Sequence, residues 1–239
     1  MPPLDVLAIV AHRDDAELLC GGTLIAAHDL GRATGVLDLS AGETGTRGSV
    51  ALRGAESEKA SAIMGLTVRE TLGLPDAGLL NTPETRALLA LALRRLKPRV
   101  VIAPALRGRH PDHHVAGALV RDACFIAGIA KVAPELPPFR PHKVLHAVAY
   151  REHDEKPTFV VDITEQFERK LEAIQCYASQ FDGLIQAGEV YPNGEPLYDI
   201  IRHQAAHYGS MIRTRYGEPF WTAETMRVDD VATLGVATF

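Results

Sequence analysis

Near the amino terminus a short apolar run ends abruptly in charge, and this feature constrains the fold more than any other. Residues 4–11 read LDVLAIVA, and the motif HRDD follows at once. A run this short and apolar is typical of a parallel strand buried on both faces, and it is too short to span a membrane. Asp14 or Asp15 can cap the next helix, which we expect to run to about Leu30 and stop at Gly31.

Strands and helices alternate along the residues that follow. We predict strands at Thr34–Ser40, Thr67–Leu72 and Val100–Ala103, and helices at residues 50–64, from Thr82-Pro83 onward and at His113–Ala127, the last capped by Asp112. This alternation predicts a parallel sheet covered by helices on both faces. We therefore expect a three-layer, Rossmann-like α/β fold with a mostly parallel central sheet.

The carboxyl-terminal part of the chain reads as an extension of the same domain. A proline-rich stretch at residues 132–142 resembles a boundary, but only strands at 144–150 and 158–162 and two helices follow it. We expect a single domain over residues 1–239, with the extension at about 143–239. Ligands of open α/β sheets collect where the strands end, so the site is expected at those ends.

Composition excludes several classes of function. The chain carries 25 Lys and Arg against 30 Asp and Glu, for a net charge of −5, and shows no basic patch typical of nucleic-acid or membrane binding. The amino terminus lacks a charged region followed by a cleavable apolar stretch. Cys20, Cys124 and Cys176 show no CxxC spacing and read as reduced thiols. We expect a cytoplasmic protein that acts on a small molecule.

Two clusters of histidine and carboxylate follow the first and fourth predicted strands. The first is HRDD at 12–15, with Glu17 just beyond, and the second is HPDHH at 110–114. Zinc takes His nitrogen and Asp oxygen in catalytic sites, where three protein ligands leave the fourth position open for water. Taken singly, Asp-Asp is equally a helix cap and His-Pro an ordinary turn. Together, the two clusters favour one shared metal ion.

Other catalytic patterns are absent from the sequence. The loop GETGTRGS lacks the lysine of a phosphate-binding P-loop, no GxGxxG follows the first strand, and no GxSxG occurs. His203 and His207 have the spacing of a zinc-protease helix, but Gln204 replaces the required Glu. We therefore assign these two histidines to the surface or to an interface.

The two clusters carry a resemblance to a known family. AHRDDAE at 11–17, followed by GGT at 21–23, resembles the first motif of the LmbE/PIG-L family of zinc-dependent N-deacetylases, and HPDHH is similar to the second. Four further segments look most like the branch that deacetylates N-acetylglucosaminyl-malate in bacillithiol biosynthesis: LRGAE (52–56), TLGLPDAGL (71–79), YASQF (177–181) and YGEPF (216–220). The resemblance implies a zinc-dependent hydrolase of that conjugate, and a homo-oligomer such as a hexamer.

The resemblance also implies roles for six side chains. His12, Asp15 and His113 would hold Zn2+ or another divalent metal, and Asp14 would be the general base that deprotonates the attacking water. His110 would act as a second acid or stabilise the oxyanion, oriented by Asp112. The alternative for His110 is a buried structural histidine.

Substrate contacts rest on weaker correspondences. Glu43, Arg53 and Asp76 match positions that line the sugar pocket in relatives, and Arg53 would fork onto the malate carboxylate. The alternative for Arg53 is a helix-surface ion pair with Glu56. Two further expected contacts are Arg109, to an anion or as support for the second motif, and Tyr198, whose phenol would face the oxyanion.

The sequence departs from the family motif at position 13, where Arg replaces Pro. Proline would fix φ at this corner, and arginine relaxes it. The Arg13 guanidinium has two possible directions, toward a substrate carboxylate or toward solvent, and we expect it to point to solvent. Two other functions stay open: a deacylase of a different small N-acyl sugar or amide, of the mycothiol or antibiotic-pathway type, and a metal-dependent sugar-binding protein without turnover.

Overall fold

The computed structural model describes residues 3–107, 110–148, 156–181 and 196–236. The strands are β1 Val6–Val10, β2 Thr34–Asp38, β3 Val68–Thr71, β4 Val100–Pro104, β5 Lys143–Ala147, β6 Phe159–Asp162 and β7 Gly217–Trp221. The helices are α1 Asp15–Asp29, α2 Val50–Met64, α3 Pro83–Leu96, α4 Pro111–Ile126, α5 Phe167–Gln175, α6 Ala178–Phe181 and α7 Leu197–Met211. Within these ranges, none of the helices has the length and apolar character that crossing a membrane requires.

The strands form one seven-stranded sheet in the order β3-β2-β1-β4-β5-β7-β6. The pairings among β1 to β5 are parallel, which confirms the mostly parallel sheet. β7 lies between β5 and β6 and is antiparallel to both. The sequence did not predict β7, because its residues GEPFW show neither alternation nor a β-branched side chain, and proline is rare inside a sheet.

Helices cover both faces of the sheet, as the three-layer prediction requires. Side chains alternate along β1: Leu7 and Ile9 join the apolar cluster under α3 and α4, whereas Ala8 and Val10 join the cluster under α1, α2 and α5. All four of these side chains are almost completely buried. β1 is therefore a central strand whose carboxyl end is held from both sides.

Most predicted helix boundaries agree with the structure. The two helices that begin at the histidine motifs, α1 and α4, are not capped by the side chains that the sequence predicts. Ser49 caps α2, and Thr82 forms a capping box with Thr85 at the start of α3. Asp14 stands at the cap position of α1, but its side chain makes no capping hydrogen bond. α4 begins at Pro111, and the cap is His110 rather than Asp112. Both motif carboxylates are thus left available for other partners.

Helix α1 is interrupted at Cys20, where φ is −147° and ψ is 19°. The Glu218 carboxylate, on β7, accepts hydrogen bonds from the amides of Gly22 at 2.9 Å and Thr23 at 2.7 Å, and so caps the second part of the helix. Lys170 Nζ, on α5, lies 2.6 Å from Glu218 Oε1. Both side chains of this pair are buried, so a paired charge fixes the break in α1.

Candidate active site

The two histidine clusters meet at the carboxyl edge of the sheet. β1 and β4 are parallel neighbours, so the loop after β1 and the loop before α4 emerge side by side. The rings of His12, His110 and His113 come together there. Their centroids lie 4.8 Å apart for His12 and His110, 5.4 Å for His12 and His113, and 5.1 Å for His110 and His113.

Asp15 joins two of these histidines. Its Oδ2 lies 3.3 Å from Nδ1 of His12, and its Oδ1 lies 3.1 Å from Nε2 of His113. The backbone amide of His12 donates to Asp15 Oδ2 at 2.9 Å, which fixes the carboxylate. The structure therefore brings together the three side chains that the sequence predicts as metal ligands.

The other ring nitrogen of His12 faces two further carboxylates. Nε2 lies 3.1 Å from Asp76 Oδ1 and 3.4 Å from Asp112 Oδ2. Asp76 Oδ2 accepts from the amide of Thr44 at 2.8 Å and from its hydroxyl at 2.7 Å. Asp112 Oδ1 accepts from the amide of Leu79 at 3.3 Å. Both carboxylates are thus anchored by neighbouring loops while they hold the His12 ring.

The side chains around His12 suit a divalent cation. Among the described residues, two groups of three have ligand atoms within 4.8 Å of one another: His12, His110 and His113, and His12, Asp76 and Asp112. Burial lowers the pKa of His12, but the carboxylates of Asp15, Asp14 and Asp76 outweigh it and raise the pKa to about 9. So much negative charge around one imidazole, with imidazole nitrogens and carboxylate oxygens as donors, fits zinc or a similar ion.

Asp14 is held by a buried arginine. Arg53, only 5% exposed, donates from Nη2 to Asp14 Oδ1 at 3.0 Å and from Nη1 to the carbonyl of Gly42 at 3.2 Å. Burial and the Asp15 carboxylate raise the pKa of Asp14, and Arg53 offsets part of that rise. The predicted general base is therefore a carboxyl whose pKa lies above its usual value.

The contacts of Arg53 contradict one of its two predicted roles, the helix-surface ion pair with Glu56. Glu56 accepts instead from the amide and hydroxyl of Ser179, at 2.8 Å and 2.7 Å, so no helix-surface pair with Arg53 forms. The expected fork onto a substrate carboxylate stays a prediction, and in the structure Nη2 of Arg53 contacts Asp14. Sequence reasoning missed this because Arg53 and Asp14 lie 39 positions apart and meet only when α2 packs beside the corner.

Asp112 contacts His110, as expected of a residue that orients it, but does so through its backbone amide and not through its carboxylate. The backbone amide of Asp112 donates to His110 Nδ1 at 3.2 Å, and the carboxylate itself turns to His12 and Leu79. This follows from His110 acting as the cap of α4, because a cap side chain accepts from the first amides of its helix. Desolvation, together with His12 and His113, lowers the pKa of His110.

The remaining candidates divide into those near the site and those elsewhere. Glu43 Oε1 accepts from the amide of Asp76 at 2.8 Å, so these two predicted substrate contacts lie on adjoining loops. Tyr198 packs against the apolar cluster formed by α5, α7 and their neighbours. Arg109 lies outside the described residues.

Arg13 does not point to solvent, contrary to the prediction. Its Nη1 donates to the carbonyl of Val50 at 2.6 Å, and Nη2 lies 3.5 Å from Thr71 Oγ1. Its own backbone carbonyl accepts hydrogen bonds from Arg69 and Tyr177, which sequence reasoning missed. The available signals were a charged residue inside the third predicted strand and the tyrosine of the YASQF segment.

Comparison with known proteins finds relatives in the family whose two motifs the sequence resembles. Residues 7–124 match the family model "PIG-L: GlcNAc-PI de-N-acetylase". The chain is 33% identical over 226 residues to diacetylchitobiose deacetylase of Thermococcus kodakarensis, covering 89% of this chain and 80% of that protein. It is 29% identical over 194 residues to "Probable N-acetyl-alpha-D-glucosaminyl L-malate deacetylase 2" of Bacillus anthracis, covering 74% and 81%. A 4-oxalmesaconate hydratase of Pseudomonas putida is 28% identical over 200 residues, covering 75% of each.

Solved structures share the fold. A conserved protein of Thermus thermophilus superposes with a TM-score of 0.84 and 39% identity, covering 95% of this chain and 98% of that one. The N,N'-diacetylchitobiose deacetylase of Pyrococcus horikoshii, in complex with an inhibitor, gives a TM-score of 0.76 at 28% identity, covering 90% and 82%. Similarity therefore extends from the motifs to almost the whole chain.

Proposed function

This chain belongs to the PIG-L (LmbE-like) family, and from that premise we propose that it is a metal-dependent N-deacetylase of a small N-acetylglucosamine conjugate. The observation that carries the proposal is the convergence at Asp15. One carboxylate contacts two histidines from separate motifs, and the neighbouring half-buried Asp14 lies beside them. This arrangement combines a cation site with a base, which amide hydrolysis requires.

His12 through Nδ1, Asp15, and His113 through Nε2 would hold the metal, because these atoms surround the Asp15 carboxylate. Asp76 and Asp112 would then keep the other nitrogen of His12 protonated and its ring in place, as carboxylates commonly do behind a metal-bound histidine. When bound, zinc would polarise the amide carbonyl and acidify the attacking water. A different divalent metal fits the same donors.

Asp14 would take the proton of the attacking water. Burial and the adjacent Asp15 raise its pKa above the usual value, which favours accepting a proton from water and returning it to the departing amine. Arg53 would keep the carboxylate pointing to the site rather than capping α1. The absence of a capping hydrogen bond at Asp14 is consistent with this use.

His110 would serve the carbonyl oxygen. Its Nδ1 accepts from the amide of Asp112, which leaves Nε2 as the nitrogen that carries a proton in the neutral ring. A donor there would stabilise the developing oxyanion or protonate the leaving amine. His12, His110 and His113 lie close enough for these roles to concern one reacting group.

The aglycone of the substrate is the finer part of the proposal. We place N-acetylglucosaminyl-malate first and diacetylchitobiose second, since relatives named for each match the chain. Arg53 stays the expected partner of the malate carboxylate, although its Nη2 also contacts Asp14. Glu43 and Asp76 stay as expected sugar contacts, and Tyr198 and Arg109 as expected contacts to be tested by substitution.

The two non-deacetylase alternatives rest on specific observations. A sugar-binding protein without turnover was suggested by Arg13, but Asp14 and Asp15 still reach their partners with arginine at that corner. The match to a hydratase favours a second candidate, addition of water to an unsaturated carboxylate. Both alternatives keep the cation site. The sugar-binding protein would catalyse no reaction, and the hydratase would add water to a double bond instead of cleaving an amide.

The test is acetate release by zinc-loaded protein from the malate conjugate, diacetylchitobiose and N-acetylglucosamine, with an unsaturated dicarboxylate assayed in parallel. Asp14→Asn should lower kcat about 10³-fold while preserving the fold. Asp122→Asn is the matched control, because that carboxylate pairs on the surface with Arg86. Hydration without acetate release, or full activity of Asp14→Asn, would refute the proposal.

A further inference from the structure

The corner between β1 and α1 has at its centre a residue whose φ is not restricted by a proline ring. Arg13 stands between His12 on one side and Asp14 and Asp15 on the other. An arginine leaves φ free, so the corner needs another restraint if its neighbours are to keep their geometry. In the part of the chain that the structure describes, the Arg13 N–H has no recorded acceptor. The restraint must therefore act on the carbonyl or on the side chain.

Two donors converge on the Arg13 carbonyl. Arg69 Nη2, from β3, and the hydroxyl of Tyr177, from the segment between α5 and α6, both donate to this oxygen. A carbonyl oxygen has two lone pairs, and both are used here. Because the peptide unit is planar, fixing this oxygen also fixes the amide of Asp14.

The two donors are themselves held by buried carboxylates. Arg69 lies 2.9 Å and 3.0 Å from the two oxygens of Asp38 and 2.5 Å from Glu17 Oε1. Tyr177 is completely buried, and its hydroxyl lies 3.1 Å from the same Glu17 oxygen. Burial and the Glu17 charge hold the pKa of Tyr177 far above its usual value, so the phenol stays protonated.

The side chain of Arg13 leaves the corner in another direction. Its guanidinium reaches Val50 at the start of α2 and approaches Thr71 at the end of β3. The backbone restraint and the side-chain contacts are therefore separable by mutation. Removing the guanidinium leaves the carbonyl and its two donors in place.

We propose that Arg69 and Tyr177 form a carbonyl clamp on Arg13 that positions the metal-binding and proton-accepting side chains beside it. The clamp supplies, from β3 and from the α5–α6 segment, the rigidity that the backbone at residue 13 lacks. Tyr177 is a positioning residue, since it touches neither the candidate ligands nor substrate in the described contacts. This inference rests on the proposed function for the roles of the side chains beside Arg13. The clamp itself concerns only the position of the backbone at this corner.

Tyr177→Phe tests the clamp, because it deletes one hydroxyl from a buried ring. Tyr216→Phe is the matched control: that tyrosine is also buried, and its hydroxyl bonds only to Arg202 among the described residues. The measurements are the zinc dissociation constant by chelator competition, thermal unfolding of metal-free protein, and kcat. Tyr177→Phe should raise the zinc dissociation constant about 10-fold and lower kcat about 10-fold. Tyr216→Phe should change neither, although both variants lose some stability.

The decisive step repeats Tyr177→Phe in two further backgrounds. Arg13→Pro locks φ and should reduce the effect of Tyr177→Phe to less than about 2-fold. Arg13→Ala removes the guanidinium without locking the backbone, so the full 10-fold effect should persist. The clamp is refuted if Tyr177→Phe behaves like Tyr216→Phe, or if proline and alanine at position 13 give the same result. Should no substrate be turned over, the deacetylase proposal fails alone, because zinc affinity still decides the clamp.

Discussion

Two groups of buried charged side chains lie along the first part of α1, one at its break near Cys20 and one at its amino end. They differ in how their charges are balanced. At the break in α1, Lys170 and Glu218 neutralise each other, and the spare atoms of both bond to backbone groups of the helix. At the edge of the sheet, Asp15, Asp76 and Asp112 surround His12 and leave an excess of negative charge. The first group is complete within the protein, and the second is not.

The difference separates a structural role from a functional one. Buried charges are costly unless they are paired and hydrogen-bonded, so a matched pair is what the interior tolerates. An unmatched group persists only where it has a task, such as receiving a cation. The same helix therefore carries a stabilising pair at its break and a binding site at its amino end.

The largest expected effect comes from breaking the matched pair. Lys170→Met leaves Glu218 buried without a counter-charge and should lower the free energy of unfolding by about 3–5 kcal/mol. Arg169→Met is the control on the same helix, because its partner Asp29 is exposed and the loss should stay below about 1 kcal/mol. Urea unfolding of both variants measures the contrast, and equal losses would contradict the structural role.

Removing a charge from the unmatched group should act on binding instead. Asp15→Asn should weaken zinc affinity at least about 100-fold, because it removes the carboxylate between His12 and His113. The metal-free variant should lose less stability than Lys170→Met. Despite burial, the histidine contacts hold the pKa of Asp15 well below its usual range and so contribute stability, but repulsion between Asp15 and Asp14 offsets part of it. Chelator competition and urea unfolding test both statements. A strongly destabilised metal-free variant would show that Asp15 is structural.

Arg53→Lys sharpens the comparison from within the site. A lysine keeps the charge but cannot bond Asp14 and the Gly42 carbonyl with the same planar group, so kcat should fall about 10-fold with zinc affinity unchanged. Arg86→Lys on the surface is the control. If KM for a carboxylate-bearing substrate rises while kcat stays constant, Arg53 binds substrate after all.

Cysteine reactivity gives the smallest and most local signal. Burial raises the pKa of Cys20 well above its usual value and that of Cys124 to about 12, so neither thiol should react with maleimide at neutral pH. Cys176 is partly exposed and should react slowly. In Lys170→Met, Cys20 at the break should become reactive, whereas Cys124 should not. Mass spectrometry of the labelled peptides measures the reaction. An unreactive Cys20 in Lys170→Met would mean that the structure at the break in α1 is retained.

Local pattern sufficed for the parallel half of the fold. Apolar runs and helix signals predicted β1 to β4 and α1 to α4 to within a few residues, because burial on both faces leaves a strong mark in sequence. The antiparallel strand β7 was not predicted, since its place depends on β5 and β6 more than on its own residues.

The site could be predicted as a set of residue types but not as a set of contacts. The convergence of His12, Asp15 and His113 follows from the order of parallel strands. The partners of Arg53 and Arg13, and the turn of Asp112 toward His12, depend on side chains from distant segments. Tyr177 reaches Arg13 across 164 positions, a distance at which no local pattern carries information.

The capping of α1 by Glu218 has a consequence for the order in which the protein folds. The first helix formed from the chain stays unfinished until a strand near position 218 has been synthesised and inserted between β5 and β6. Contacts so far apart along the chain slow folding, since the intervening loop must close before they contribute. A nascent chain in which both histidine motifs have been synthesised would therefore still have an incompletely capped α1. Competence to hold a metal should appear late, as one of the last events of maturation.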